Sequence, residues 1–262
     1  MRSAFLIGAG LFTASIAAFG EHRLISIGDR RLSMDCGGEA GRSATVVLIA
    51  GGGRTATDWE KVQPEVSGFA RVCSYDRAGF GESDKAAEKL QSVDEVVDDL
   101  HGLLKASGEK GPFILVGHSI AGVYARSFET RFPREVAGLV FVDSSHEEQA
   151  LRLHQLDPNG PGLSEQTARL GFFVKPGEHL EWRTEKPLIV LGHGKPYPGG
   201  NQMTKEQWAE WDRIWRAFQE DLAKRSSRGE FRLAAESGHF IQRDQPELVI
   251  QAIRDVSRLS TR

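Results

Sequence analysis

The residue with the clearest chemical signal in this sequence is a serine that follows a short apolar run. Positions 113–122 read Phe-Ile-Leu-Val-Gly-His-Ser-Ile-Ala-Gly, and a helical pattern follows. A strand that turns sharply into a helix at a serine forms a nucleophile elbow, in which the hydroxyl projects above the sheet. Small residues two before and two after the serine relieve crowding there, and Gly117 and Ala121 hold those positions. The pattern predicts Ser119 as a nucleophile, with a Gly-Ser turn of no chemical role as the alternative.

A serine hydroxyl is a weak nucleophile unless a base accepts its proton. Among the eight histidines, His239 is the predicted base, because it lies in a glycine-containing loop between the last predicted strand and the final helix. His118 is adjacent to Ser119, but neighbouring residues on a turn point in different directions, so His118 is predicted to pack or to hydrogen-bond. Five others are expected on the surface or in a cap: His22, His101, His154, His179 and His193.

A carboxylate must hold the histidine in the correct tautomer, and it is expected at the end of a late strand. The predicted strand 138–142 ends directly in Asp143, whereas after the next strand no acid occurs before Glu206. Glu147 and Glu148 lie further on and are expected in solvent. We therefore predict Asp143 as the acid. The alternative is that it caps the Ser-Ser turn that follows.

The elements that must position these residues alternate between short apolar β-branched runs and longer amphipathic stretches. This alternation predicts an α/β fold with an eight-stranded, mostly parallel sheet and helices on both faces. The predicted strands are Leu24–Ile27, Arg31–Cys36, Thr45–Ala50, Arg71–Tyr75, Phe113–Val116, Gly138–Val142, Leu188–Leu191 and Phe231–Ala234. The predicted helices are Ser92–Ser107, Ile120–Phe132, Lys205–Lys224 and Pro246–Leu259.

Length and composition limit the class of protein. The 262 residues carry 33 basic and 36 acidic side chains, for a net charge of −3. This balance argues against a nucleic-acid binder with a basic phosphate-binding surface. We predict one domain over residues 21–262, with a cap inserted at about 144–186, where Pro and Gly interrupt the pattern. Two cysteines rule out a four-cysteine zinc site, and the histidine spacing predicts no metal.

The first 20 residues are predicted to be a signal peptide. Arg2 precedes the uncharged run 4–20, which is too short to span a bilayer and offers small residues for cleavage. Export to the periplasm or medium is therefore expected. The alternatives are an uncleaved membrane anchor or a packed N-terminal segment of a cytoplasmic protein.

Together with Ser119 and His239, two further stretches give the sequence a family resemblance. Ala-Gly-Gly-Gly at 50–53 is followed by Trp59, and Tyr-Asp-Arg-Ala-Gly-Phe-Gly-Glu-Ser occupies 75–83. With the elbow and the Ser-Gly-His-Phe loop, these stretches resemble the α/β-hydrolase superfamily, in the branch of single-domain serine hydrolases with a small cap. The sequence differs from many relatives in having Ala50 where they carry His, and in lacking an acid after the seventh strand.

The resemblance implies a serine hydrolase that cleaves a small ester or related acyl compound through an acyl-enzyme, without a cofactor. Its oxyanion hole would use the backbone amides of Gly52 and Ile120. In the superfamily's sheet the second strand lies beside the fourth, which would make Cys36 and Cys73 neighbours. Either a disulfide or two reduced thiols fits that arrangement, and the oligomeric state stays open.

Two other classes of protein fit part of the sequence. Gly51–Ala56 matches the dinucleotide fingerprint, and Asp76 follows at a strand end, as in an NADP-binding Rossmann oxidoreductase. The short-chain reductase pairing of Tyr with Lys fails, because Tyr124 is followed four residues later by Phe128. A hydrolase fold that binds a ligand without turnover is the second alternative.

Overall fold

A computed structural model of the protein describes residues 21–41, 44–86, 91–158, 182–198 and 203–260. The predicted signal peptide, residues 1–20, and the middle of the predicted cap lie outside the described residues. No helix among the described residues is long and apolar enough to cross a bilayer.

The described residues contain a single eight-stranded sheet, as the sequence predicts. Its strand order is β1-β2-β4-β3-β5-β6-β7-β8. Strands β3 to β8 are parallel, and β2 pairs antiparallel with both β1 and β4. The strands are β1 Glu21–Ser26, β2 Arg31–Gly37, β3 Thr45–Ile49, β4 Val72–Tyr75, β5 Phe113–His118, β6 Val136–Val142, β7 Leu188–His193 and β8 Gly229–Ala234. This order differs from the 3-2-1-4-5-6 order of the dinucleotide-binding Rossmann fold.

Seven α-helices lie in the described ranges. They are α1 Gln63–Ser67, α2 Val93–Ser107, α3 Ala121–Arg131, α4 Gln149–Leu156, α5 Lys205–Lys224, α6 Ile241–Asp244 and α7 Pro246–Ser260. The four predicted helices are confirmed to within a residue or two. Capping explains two of their starts. The hydroxyls of Ser92 and Thr204 each accept a hydrogen bond from the backbone N–H three residues on, and their own backbone N–H donates to the side chain of that residue.

The helices bury one apolar core on each face of the sheet. Helices α2 and α3 and the end of α5 cover one face, whereas Trp59, α1 and α7 cover the other. The buried valines and leucines of α2 recur at helical spacing, which is why its apolar side faces the sheet. The central strands are buried on both faces, as expected for a parallel sheet covered on both sides.

Several strand bounds differ from the predicted elements. Strand β1 covers Glu21–Ser26 where Leu24–Ile27 was predicted, and β5, β6 and β7 each extend two residues further at one end. Strand β8 begins at Gly229, two residues before the predicted start, because Gly229 and Glu230 pair with β7 although they interrupt the apolar pattern. The short helices α1, α4 and α6 were not predicted, since four to eight residues show too little periodicity.

Cys36 and Cys73 form a disulfide. They are direct partners in the β2–β4 register, with Cα atoms 4.1 Å apart and a sequence separation of 37. Of the two alternatives left by the sequence, the bridged form is the one in the structure.

Candidate active site

Ser119 lies on a tight turn between β5 and α3. Its backbone φ of +55° is in the left-handed region, which non-glycine residues rarely adopt. A Cβ atom at Gly117 would lie 2.6 Å from the backbone carbonyl carbon of Ala121, so only glycine fits there. The Ser119 amide donates to the Val142 carbonyl oxygen at 3.0 Å, which ties the turn to the neighbouring strand. The elbow geometry predicted from the sequence is present.

Gly122, three residues after the serine, explains why Ala121 is tolerated at the last motif position. A Cβ atom at Gly122 would lie 1.7 Å from the Ser144 hydroxyl oxygen, so the close approach occurs one residue later than in the usual motif. Ser144 donates to the Ser119 carbonyl at 3.2 Å, and the Ser145 amide donates to the same oxygen at 3.0 Å. The serine turn is therefore held by the segment after β6.

Asp143 follows β6 and is fully buried, at 0% exposure. Its φ of +46° is also left-handed, a conformation that aspartate tolerates better than most residues. Its Oδ1 accepts from the Trp215 indole N–H at 2.9 Å and from the His193 backbone N–H at 3.1 Å. Its Oδ2 lies 2.6 Å from His239 Nδ1 and 2.8 Å from His193 Nδ1. Burial alone would raise the pKa of Asp143, but the hydrogen bonds and charges of both imidazoles outweigh it and hold that pKa well below its usual range.

His239 lies in the loop between β8 and α6. Asp244 shapes this loop by accepting from the Gly238 amide at 3.0 Å and from the Ser237 hydroxyl at 3.2 Å. Because His239 Nδ1 faces the buried carboxylate, that nitrogen carries the proton and Nε2 holds the free lone pair. The His239 side chain is 17% exposed, which leaves it accessible from one side.

His118 packs and hydrogen-bonds as the sequence predicts. Its Nε2 lies 2.9 Å from the His239 carbonyl oxygen, and its ring centroid is 4.7 Å from that of His239. Burial, together with the nearby His239, lowers the pKa of His118 to about 4. His118 is therefore neutral at pH 7 and donates from Nε2, fixing the His239 loop against the residue before the serine.

His193, at the end of β7, was predicted to be a surface or cap residue, and that interpretation is wrong. The side chain is 5% exposed, and Nδ1 lies 3.0 Å from Oδ1 and 2.8 Å from Oδ2 of Asp143. Its Nε2 lies 3.7 Å from Asp212 of α5. Burial would lower the pKa of His193, but its hydrogen bond to Asp143 and the charges of Asp143 and Asp212 raise it overall. The feature of the sequence that indicates a site role for His193 is its position at the end of a late strand, where a carboxylate is expected.

The glycine loop after β3 lies directly against the serine turn. A Cβ atom at Gly51 would be 3.3 Å from Ser119 Cβ and 2.7 Å from His118 Nδ1, which explains the glycine. Arg77 is buried and donates to the carbonyl oxygens of Ala50 and Gly51. Because the N–H and C=O of a trans peptide point in opposite directions, the Gly52 N–H points away from Arg77.

Asp76 holds the other end of this loop. Its carboxylate accepts from the Ala56 amide at 2.7 Å and from the Glu82 amide at 3.1 Å. The Rossmann alternative would use Asp76 for a ribose hydroxyl, whereas here both its oxygens accept hydrogen bonds from backbone amides.

The two predicted oxyanion donors have no acceptor among the described residues. Neither the Gly52 amide nor the Ile120 amide donates a hydrogen bond to another residue there.

The acids that competed with Asp143 in the sequence lie elsewhere. Glu206 is exposed in the first turn of α5. Glu147 was expected in solvent but is buried, because it pairs with Arg126 at 3.1 Å and with Arg225 at 2.5 Å. Burial would raise the pKa of Glu147, but the adjacent arginines and His146 lower it overall. Glu147 therefore anchors the start of the predicted cap.

The described residues hold one group of side chains with metal-ligand spacing, Cys36, Cys73 and Glu109. Both cysteines are committed to the disulfide, so this group offers no thiolates.

Comparison with known proteins places these features in a family. Residues 46–252 match the model of the "Alpha/beta hydrolase family". The chain is 27% identical to "Uncharacterized protein YqjL" of Bacillus subtilis over 222 residues, covering 81% of this chain and 83% of that protein. It is 32% identical to "Methylesterase 17" of Arabidopsis thaliana over 135 residues, covering 50% of this chain and 49% of that protein. With another relative, "Probable transporter efuK" of Hormonema carpetanum, the match spans only 25% of that protein.

A solved structure shares the fold. A thermophilic esterase from Thermogutta terrifontis superposes with a TM-score of 0.64 at 22% identity, covering 93% of this chain and 99% of that one.

Proposed function

This chain belongs to the alpha/beta hydrolase family, and from that membership we propose that it is a serine hydrolase acting on a small ester or related acyl compound. The observation that carries the proposal is the 2.6 Å contact between His239 Nδ1 and the fully buried Asp143 carboxylate, beside the elbow of Ser119. A buried, ionised carboxylate on an imidazole whose other nitrogen is free suits a general base next to a serine.

The reaction follows from these roles. The Ser119 hydroxyl oxygen attacks the acyl carbonyl while His239 Nε2 accepts its proton. The tetrahedral intermediate collapses to an acyl-serine, and the proton passes from His239 to the leaving alcohol. Water then attacks the acyl-serine by the same route, with His239 as base, and releases the acid and the free serine.

The negative oxygen of the intermediate would be held by the amides of Gly52 and Ile120. The Ile120 amide lies at the start of α3, where helix N–H groups lack intrahelical acceptors. The hydrogen bonds from Arg77 to the loop support a fixed orientation of the Gly52 amide. One such donor contributes typically about 3–4 kcal/mol to lowering the barrier.

His193 has the role of a positioning residue in this scheme. With Trp215 it surrounds the Asp143 carboxylate with donors, and it occupies the strand end where many relatives place their acid. Its hydrogen bonds to both carboxylate oxygens hold Asp143 in the orientation that leaves Oδ2 for His239.

The surroundings of His239 favour a substrate with an apolar group. The rings of Phe240, Tyr197 and Trp215 have centroids 5.3, 6.0 and 6.0 Å from that of His239. Aromatic rings beside the proposed base suit a small acyl chain or alcohol. The similarity to a methylesterase and an esterase supports an ester in particular.

We test this function with a panel of p-nitrophenyl esters, lactones and thioesters. The wild type is expected to hydrolyse at least one short-chain ester, and Ser119→Ala is expected to lose at least about 10³-fold in kcat. Ser107→Ala serves as the matched control, because in the described part of the chain that hydroxyl bonds only to the Leu104 carbonyl and the Glu109 amide. An inactive wild type that binds ligands would favour the receptor alternative, and tight binding of NADP would favour the oxidoreductase.

Export is a second part of the proposal, with cleavage of the signal peptide within residues 1–20. The Cys36–Cys73 disulfide supports it, since such bonds persist in oxidising compartments. Mass spectrometry of the N-terminus of protein from the periplasm or medium tests it. A full-length N-terminus in the cytoplasm would contradict it.

A further inference from the structure

A cavity lies away from the serine, toward the β1 side of the sheet. Its volume is about 560 Å³, and it opens between strands β2 and β4 and the segment that runs from Ala56 into α1. None of Ser119, Asp143 and His239 lines it. The cavity is therefore separate from the proposed active site, and the inference drawn from it does not depend on the proposed function.

The floor of this cavity is polar where the opposite side of the same strands is apolar. Ser33 and Asp35 of β2 and Ser74 of β4 line it, while the residues that alternate with them belong to the core under α2 and α3. Ser33 is 4% exposed and Ser74 is 2% exposed. Neither hydroxyl has a hydrogen-bond partner among the residues that the structure describes. Because both residues line the cavity, their hydroxyl groups are available to a ligand there.

The walls carry an excess of negative charge. Among the described residues, four carboxylates line the cavity, those of Asp35, Glu60, Asp76 and Glu82, and no lysine or arginine does. Within the described ranges only Glu82 has an ion-pair partner, His22 at 3.1 Å. The other three carboxylates have no ion-pair partner there, and carboxylates around a concave surface concentrate a negative potential, which attracts cations.

The arrangement selects among the kinds of cation. A bare metal ion needs ligands that converge on one point, and no such group of three forms here among the described residues. A quaternary ammonium group prefers a cage of aromatic rings, and no Phe, Tyr or Trp of the described ranges lines the cavity. A primary ammonium group instead needs several oxygen acceptors, which Ser33, Ser74 and Asp35 supply together.

We propose that this cavity binds a short aliphatic diamine or polyamine. One ammonium group would donate to the Ser33 and Ser74 hydroxyls and the Asp35 carboxylate. The methylene chain would lie against Ala56 and Pro64. The second ammonium group would reach the remaining carboxylates of the lining, those of Glu60, Asp76 and Glu82. Asp35 is available for this role, because its carboxylate accepts only a long 3.4 Å hydrogen bond from Gln63 in the described structure.

Isothermal titration calorimetry with 1,4-diaminobutane tests the proposal, at fixed ionic strength and with the full chain. We expect a dissociation constant below about 1 mM for the wild type. Asp35→Asn should weaken binding about tenfold or more, and Ser74→Ala about fivefold, since each removes one acceptor for an ammonium group. Glu206→Gln, which removes an exposed acid outside the cavity, is the matched control and should bind as the wild type does.

Magnesium chloride and tetramethylammonium chloride complete the test. The proposal requires that neither displaces the diamine at concentrations equal to it. Failure of the diamine to bind at about 10 mM, equal binding by Asp35→Asn and Ser74→Ala, or equal displacement by either cation would each overturn it. Because Ser119→Ala leaves the cavity intact, that variant should bind the diamine normally even if the serine hydrolase function is refuted.

Discussion

Replacing Asp143 with asparagine should trap His239 in the tautomer that cannot accept a proton from Ser119. An asparagine keeps one oxygen and exchanges the other for an NH₂ group, so the local donors decide which way the amide turns. The Oδ1 position faces two donors that cannot change, the Trp215 indole N–H and the His193 backbone N–H. The amide oxygen should therefore occupy that side.

The NH₂ group of the asparagine then lies at the Oδ2 position, opposite His239 Nδ1, where the atoms of the wild type are 2.6 Å apart. Two donors cannot face each other, so His239 must move its proton to Nε2. An imidazole in that form cannot act as the base, and stabilisation of the imidazolium by the carboxylate is also lost. The expected loss is about 10⁴-fold in kcat, or about 5 kcal/mol of barrier.

The assay is steady-state hydrolysis of the best ester from the panel, with circular dichroism to establish that the variant folds. Asp143→Asn should lower kcat far more than it raises KM, because the lost interaction acts in the transition state. Glu206→Gln removes the other acid considered from the sequence and should keep nearly full activity. A folded Asp143→Asn variant that retains more than about a tenth of the wild-type kcat would refute this reasoning.

Three further predictions concern pH and stability. His193→Gln keeps a donor for Asp143 but removes the positive charge that the raised pKa of His193 favours. Without that charge the proposed base is protonated more easily, so the acidic limb of the kcat/KM profile should move up by about half a pH unit. An unchanged profile would contradict this. The pKa of His118 is lowered to about 4 in the fold, so the unfolded chain binds more protons between about pH 6.5 and 4. Urea unfolding should therefore show about 3 kcal/mol of stability lost as pH falls through that window, and a weaker dependence in His118→Gln. Reducing the Cys36–Cys73 bond, which closes a loop across 37 positions, should lower the free energy of unfolding by about 4 kcal/mol, measured with and without dithiothreitol.

Much of the fold and part of the site follow from local patterns in the sequence. The elbow around Ser119 and the loop around His239 are contiguous stretches, so their residue types alone indicate the turns that the structure contains. The four long helices are predictable because each has enough turns to show its apolar side. The order of Ser119, Asp143 and His239 along the chain is the one that the family resemblance implies.

The remaining features depend on contacts between distant residues. The environment of Asp143 comes from Trp215 in α5 and from His193 in β7, and no local pattern reports that these side chains converge. A single histidine at a strand end carries no distinguishing spacing, so His193 looked like a surface residue. Glu147 looked exposed for the same reason, because its partners Arg126 and Arg225 lie far from it in the sequence.

The most direct test of the serine mechanism is labelling with a fluorophosphonate, followed by mass spectrometry of the digested protein. The probe reacts only with a serine activated by a base, so one label per chain should appear on the peptide containing Ser119. The label should be absent from Ser119→Ala and should form much more slowly on Asp143→Asn, whereas Ser107→Ala should label as the wild type does. A folded wild type that takes no label, or one that carries it on a residue other than Ser119, would contradict the proposed function.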